Sequence, residues 1–342
     1  MNPRKRILVI GSGPAGVHAA LAAAAAGHGV SLISETPPGG RAAWQTLLPS
    51  KIWLGAGSLP GPVDLNELRA RYDHVAGAWQ RQLLDELERA GVELRLGTAS
   101  FLSPHEVQIR PPEGGYPDQL PADAVIIASG AAPFVLPGLE PDGQRIFSPH
   151  TIWQLSELPD SLIVIGGSGP ATEYVDAFSR LGVRITWLTG PVGVLSAFPP
   201  DAGLIIRRVM EARGVHVISG MLPRQVEPSP GGVRVTTADG AVREARMAFV
   251  AIGLRPDLDR LNLPAAGLRP GSSGGLATDG FGRTAVSHIY LVGDAASPLS
   301  ANISIAQGRL AGWHAAGLPV EPLNLEHTVM AIYTNPQVAM VG

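Results

Sequence analysis

Arg6-Ile-Leu-Val-Ile-Gly-Ser-Gly-Pro-Ala-Gly16, the alanine-rich run Val17 to Ala26, and Gly29-Val-Ser-Leu-Ile-Ser-Glu35 decide the fold of this chain. After Arg6, the run Ile7 to Ile10 is apolar and mostly β-branched and stops at a glycine, as in a strand buried on both faces of a parallel sheet. A glycine turn and a helix follow, and then a second strand, so residues 6 to 35 make one βαβ unit of about thirty residues. Gly11, Gly13 and Gly16 match GxGxxG, and Glu35 lies 24 residues after Gly11. In this context each residue has a physical task. Gly11 allows the tight turn, Gly13 lets the backbone approach a pyrophosphate resting on the helix N-terminus, and Gly16 permits close packing of helix on strand. Glu35 is placed to accept hydrogen bonds from a ribose diol.

The same grammar returns 155 residues later. Ser161-Leu-Ile-Val-Ile165, the turn Gly166-Gly-Ser-Gly-Pro-Ala171, a helix through Leu181 and the strand Val183 to Leu188 repeat the unit. The fold class expected is therefore α/β, with two Rossmann-like dinucleotide-binding domains, each a parallel sheet with helices and a small antiparallel β-meander. Residues 1–145 and 269–328 are assigned to the first domain and 146–268 to the second, with linkers at Pro133 to Pro149 and Leu263 to Ser273. Helices are expected over Leu65 to Ala90, Leu204 to Arg213 and Ile303 to Ala316, and a further buried strand over Ile289 to Asp294. The second fingerprint is imperfect, with Ser168 at the second glycine position and Ala171 at the third. Serine there is expected to crowd a phosphate. Gly190, beside Thr189, occupies the place of the ribose acid, so NADH and NADPH cannot be told apart.

Composition narrows the class further. The chain has 342 residues, 45% hydrophobic, with 26 basic and 29 acidic residues and a net charge of -3. These charges are scattered, which gives no reason to expect nucleic acid or an anionic membrane as partner. The apolar run Ile7 to Ile10 is too short for a signal peptide, and Ala19 to Ala26 is too short to span a bilayer, so a cytoplasmic protein without a membrane span is expected. Cysteine is absent, which excludes disulfides, thiolate nucleophiles and any dithiol relay carried by this chain. None of the nine histidines falls in a ligand spacing, so no metal site is expected. Lys5 and Lys51 are the only lysines among the 26 basic residues.

Gly39-Gly-Arg-Ala-Ala-Trp-Gln-Thr-Leu-Leu-Pro-Ser-Lys51 resembles the active-site helix of the pyridine nucleotide-disulfide oxidoreductases, the family of dihydrolipoamide, glutathione and mercuric reductases. The family carries two cysteines in this segment, and here those positions are Ala42 and Leu47. Gly97-Thr-Ala-Ser-Phe101, Ala128-Ser-Gly-Ala-Ala-Pro133, Ala251-Ile-Gly-Leu-Arg-Pro256 and Gly293-Asp-Ala295 are similar to further family segments, in order along the whole chain. The resemblance implies two cofactors, FAD and NAD(P)H. It implies that Gly11, Gly13, Pro14, Ala15, Gly16 and Glu35 hold the adenosine diphosphate half of FAD and that Asp294 holds its ribityl side. Gly40, Arg41, Ala99, Ser129, Gly130, Gly166, Ser168, Ala171, Gly253 and Ala301 are implied as further cofactor-binding positions. Lys51, paired with Glu173, is implied beside the flavin N5 edge as the catalytic pair, where a compact ammonium stabilises anionic reduced flavin. Trp44 is expected to pack the helix, not to stack on the flavin.

Without thiols, the expected activity is hydride transfer from NAD(P)H to FAD and electron release to a small non-disulfide acceptor such as a quinone. The alternative is a non-catalytic flavin-binding scaffold or regulatory protein with a degenerate nicotinamide domain. Tyr333-Thr-Asn-Pro-Gln-Val-Ala-Met-Val-Gly342 resembles the opening of the family's C-terminal interface domain, assigned here to 329–342. A homodimer is expected only if a longer parent chain supplies that domain.

Overall fold

The computed structural model describes residues 3–59, 61–112, 114–221, 223–272, 274–297 and 300–342; Met1, and Ser273 at the end of the second expected linker, lie outside them. Two five-stranded parallel sheets form the framework. The first runs Ile289–Leu291, Ala124–Ile127, Arg6–Ile10, Gly29–Ser34, Glu93–Leu96. The second runs His216–Ile218, Arg184–Leu188, Ser161–Ile165, Met247–Val250, Ile146–Phe147. Their central strands are buried almost throughout, as apolar runs without alternation require of strands covered on both faces. Each sheet is accompanied by a three-stranded antiparallel meander, one over residues 98–121 and one over 223–245.

The two glycine turns are structural copies. Gly11 and Gly166 have φ of +105° and +116°. In each, an added Cβ would run into a carbonyl just past the neighbouring strand, that of Ala128 or of Ala251. Only glycine combines that dihedral with that approach.

Helix α1 (Pro14–Ala25) covers the first sheet together with α6 (Ala301–Ala316), the last of six α-helices among the described residues. Small residues let these two helices touch backbone to backbone: a Cβ on Gly308 would meet the Ala15 carbonyl, and one on Gly312 the Ala19 carbonyl. Between the glycine turns lie α2 (Leu48–Ala56) and the long α3 (Leu65–Arg89), with α4 (Gly169–Arg180) and α5 (Pro200–Ala212) in the second unit. The Asp64 carboxylate caps α3 by accepting from the Asn66 N–H.

Helix α2 comes from the first unit in sequence but packs with the second. Leu48, Ile52, Trp53 and Leu54 share a buried cluster with Tyr174 and Phe178 of α4, and the rings of Trp53 and Phe178 lie 5.1 Å apart. The return crossing also differs from the expected boundary at 268. Leu258, Leu261, Leu263, Ala266 and Leu268 are buried with Ile10, Phe101 and Val125, so this proline- and glycine-rich stretch is core of the first unit and not a solvated linker. The strand Leu254–Pro256, paired with Ala131–Pro133, makes the crossing. Among the described residues no helix is long and apolar enough to cross a membrane.

Candidate dinucleotide and active site

A cavity of about 800 Å³ runs from the first glycine turn to the second. Gly13 stands at the N-cap of α1 in an extended conformation with no side-chain cap, and a Cβ added there would meet nothing within 4 Å. The free N–H groups of the helix start therefore face the cavity, the arrangement that binds a pyrophosphate. Gly16 is needed for packing, since its Cβ would strike the Gly11 carbonyl. Behind the turn, the hydroxyls of Ser12 and Ser34 are bonded at 2.6 Å, tying turn to strand. The Gly39 N–H donates to the Ser12 carbonyl at 2.8 Å, and Gly40 packs against Gly13, which seats the altered active-site segment on the turn.

That segment is π-helical over Ala42–Leu47 before α2 begins. Ala42 and Leu47 both line the cavity at the two thiol positions. Trp44 does not line it. Its ring packs against Gly39 and edge-on against Trp79 at 5.2 Å, and its carbonyl accepts from the Tyr72 hydroxyl.

Lys51 on α2 and Glu173 on α4 meet because the two helices share one core. The Lys51 Nζ donates to both Glu173 carboxylate oxygens at 2.7 Å. The Tyr333 N–H donates to Glu173 at 3.1 Å, and the Tyr333 ring lies 4.6 Å from the ammonium. Glu173 is 8% exposed and Lys51 37%, so the carboxylate is fixed while the ammonium keeps an open side. Neither residue is part of the cavity wall, although Leu47 and the stretch Met330–Ile332, neighbours in sequence of Lys51 and Tyr333, are.

At the second turn the Ser168 hydroxyl is engaged by the protein. The Oγ turns back, donating to the Ala251 carbonyl at 3.1 Å and accepting from the Ala171 N–H at 3.4 Å, so it caps α4. The turn is also covered from two sides. Leu195, at φ +52°, donates its N–H to the Gly167 carbonyl at 2.8 Å, and the Ile332 side chain lies against Gly169.

Glu35 reaches the cavity mouth, where it forms an ion pair with Arg260 at 2.8 Å. Asp294, Ala301, Ala99, Ser129, Gly130, Ser168 and Gly253 also line the cavity, whereas Gly166 and Ala171 do not. Burial pushes the Asp294 carboxyl above the usual carboxylate range, against the opposing effect of Ser304. Arg41 is held by Asp257 at 2.5 Å and by the Ser129 carbonyl at 3.2 Å. Arg260, Asp257 and His150 carried no motif that would have marked them, and Tyr333 stood in a segment read for the interface domain and not for this site.

Two Rossmann-type units opening onto one cavity, with a lysine–carboxylate pair between them, define a two-dinucleotide oxidoreductase. The chain belongs to the pyridine nucleotide-disulphide oxidoreductase family, whose sequence profile matches residues 5–317. An NAD(P)H dehydrogenase (quinone) of Mycobacterium tuberculosis (strain CDC 1551 / Oshkosh) is 31% identical over 98% of this chain and 74% of its own length. A dihydrolipoyl dehydrogenase of Bacillus subtilis (strain 168) is 31% identical over 98% of this chain and 77% of its own length. The crystal structure of LpdA from Mycobacterium tuberculosis superposes with a TM-score of 0.94 at 31% identity, covering 99% of this chain and 78% of that one. The cofactors are FAD and NAD(P)H, and the open Gly13 cradle and the buried Asp294 carboxyl fit the first of them. The redox cysteine pair is lacking.

Proposed function

We propose that this protein oxidises NAD(P)H and delivers the electrons to a small non-disulfide acceptor such as a quinone. The observation that carries the reading is the pair Ala42 and Leu47, which line the cavity where a dithiol relay would stand, in front of an intact Lys51–Glu173 pair. The overall balance is NAD(P)H + H⁺ + quinone giving NAD(P)⁺ + hydroquinone. Bound FAD supplies the two-electron chemistry between the two substrates. The protein's own groups supply position and charge. Gly11, Gly13 and the α1 N-terminus hold the diphosphate, while Glu35 holds the adenosine ribose and Asp294 the ribityl hydroxyls. Glu173 holds Lys51 in one geometry, and the Tyr333 N–H and ring hold the pair from one side. The fixed ammonium then favours negative charge accumulating next to it. Leu47 and Ala42 present an apolar wall, which suits a planar, uncharged acceptor better than a charged one.

Anaerobic addition of NADH or NADPH to the purified yellow protein should bleach its flavin absorbance, and a quinone should restore it. Lys51→Ala should slow the bleaching at least tenfold. A protein that keeps its FAD and bleaches with neither nucleotide would instead be the flavin-binding scaffold, a reading favoured by one observation: the second glycine turn is capped by Ser168 and covered by Ile332.

A further inference from the structure

Of the described side chains that line the cavity, two bury a polar atom with no hydrogen-bond partner among the described residues, Ser129 Oγ and His150 Nδ1. A buried ring nitrogen left unmade costs roughly 1 to 3 kcal/mol, so such atoms are retained where a ligand completes them.

His150 is held in place from both sides of its loop. Phe147 and Ile152 are buried in the cluster shared with α2. Between them the Ser148 N–H donates to Thr151 Oγ1 at 2.8 Å, and the Thr151 and Ile152 N–H groups donate back to the Ser148 carbonyl at 3.0 and 2.9 Å. The loop follows the edge strand Ile146–Phe147, which delivers the imidazole to the same cavity as Arg41 and Ser129. Arg41 does not partner it, because its guanidinium is committed to Asp257 and the Ser129 carbonyl. Burial, and then the nearby Arg41 charge, lower the His150 pKa to about 4. The ring is therefore neutral near pH 7, with one nitrogen donating and one accepting, and no group among the described residues fixes which.

We propose that His150 is a flavin-binding residue, its Nδ1 hydrogen-bonded to a polar group of the bound FAD. The inference rests on the flavin cofactor and not on the identity of the acceptor. It assigns to a loop outside every matched motif a contact that the glycine turns do not provide. The contact is neutral, so it adds direction without adding charge beside Arg41.

The test uses the holoenzyme and follows FAD release on serial dilution by the recovery of flavin fluorescence. His150→Leu fills the same space without a polar atom and should loosen FAD about tenfold, which corresponds to about 1.4 kcal/mol. His150→Asn keeps a polar atom near the Nδ1 position and should stay within about threefold of the parent, a rescue that a purely structural role would not produce. In ¹⁵N-histidine spectra of the holoenzyme, the resonance lost in His150→Asn should carry the shift of a hydrogen-bonded ring nitrogen. Unchanged FAD retention in His150→Leu, or equal loosening in both variants, overturns the proposal. A parent protein that never carries flavin would instead overturn the cofactor assignment itself.

Discussion

At the scale of single residues, the site is a set of charges arranged so that few are free. Glu173 accepts from the Lys51 ammonium and from the Tyr333 N–H, and it is far more enclosed than its partner. Removing one member of a buried pair leaves the other uncompensated, and the half-open ammonium reduces that penalty. Glu173→Ala should therefore cost about 1 to 2 kcal/mol of stability in a urea titration, and it should slow flavin reduction by NAD(P)H as Lys51→Ala does. The Glu35–Arg260 pair is of a different kind, exposed on both sides. Exposed pairs contribute little, so Arg260→Ala should change stability by less than about 0.5 kcal/mol. Glu35→Ala, in contrast, removes the carboxylate proposed for the ribose and should weaken FAD retention about tenfold by the same dilution assay. A Glu35→Ala protein that holds FAD as tightly as the parent would remove Glu35 from the ribose.

Among the elements, the helix starts and the helix contacts decide most. The two glycine turns share their dihedrals and their strand contacts, yet α1 begins without a side-chain cap and α4 begins with Ser168. Ser168→Ala should cost about 1 kcal/mol of stability through loss of the cap. The parallel change Gly13→Ser should cost little stability, because a Cβ there meets nothing, but it should interfere with FAD uptake by intruding on the cradle. The contact of α1 with α6 admits no such latitude. Gly308→Val pushes a branched side chain into the Ala15 backbone and should destabilise by about 2 to 3 kcal/mol or prevent folding, as read by thermal denaturation.

For the whole molecule, the shared cavity also sets a pH dependence. His150 has a folded-state pKa of about 4 against an ordinary value of 6.5. Between those values the unfolded chain takes up a proton that the folded one refuses, so stability falls as pH drops from about 6.5 to about 4 and levels off below. The loss from this group is on the order of 3 kcal/mol. Urea midpoints measured across that range should fall less steeply in His150→Leu than in the parent; identical slopes would mean that the imidazole titrates normally.

Much of this architecture was readable in the linear chain because its determinants are local. The apolar runs at Arg6 and Ser161, the glycine after each, and the helical period that follows are set by dihedral limits and burial within about thirty residues. Cysteine's absence, with Ala42 and Leu47 in its place, settled that no dithiol relay resides in this chain. What needed the tertiary structure was everything fixed by distant packing. Arg260 reaches Glu35 across 225 positions, α2 leaves its own unit to join α4, and His150 arrives in the cavity from a position just past the expected linker Pro133 to Pro149. The Ser168 hydroxyl caps α4 and also bonds the Ala251 carbonyl, a partner 83 positions away that local sequence does not name. Steric rules act on neighbours in sequence and can be read from it. The partners of a charge or an orphaned nitrogen are chosen by the folded core, and no local pattern records them.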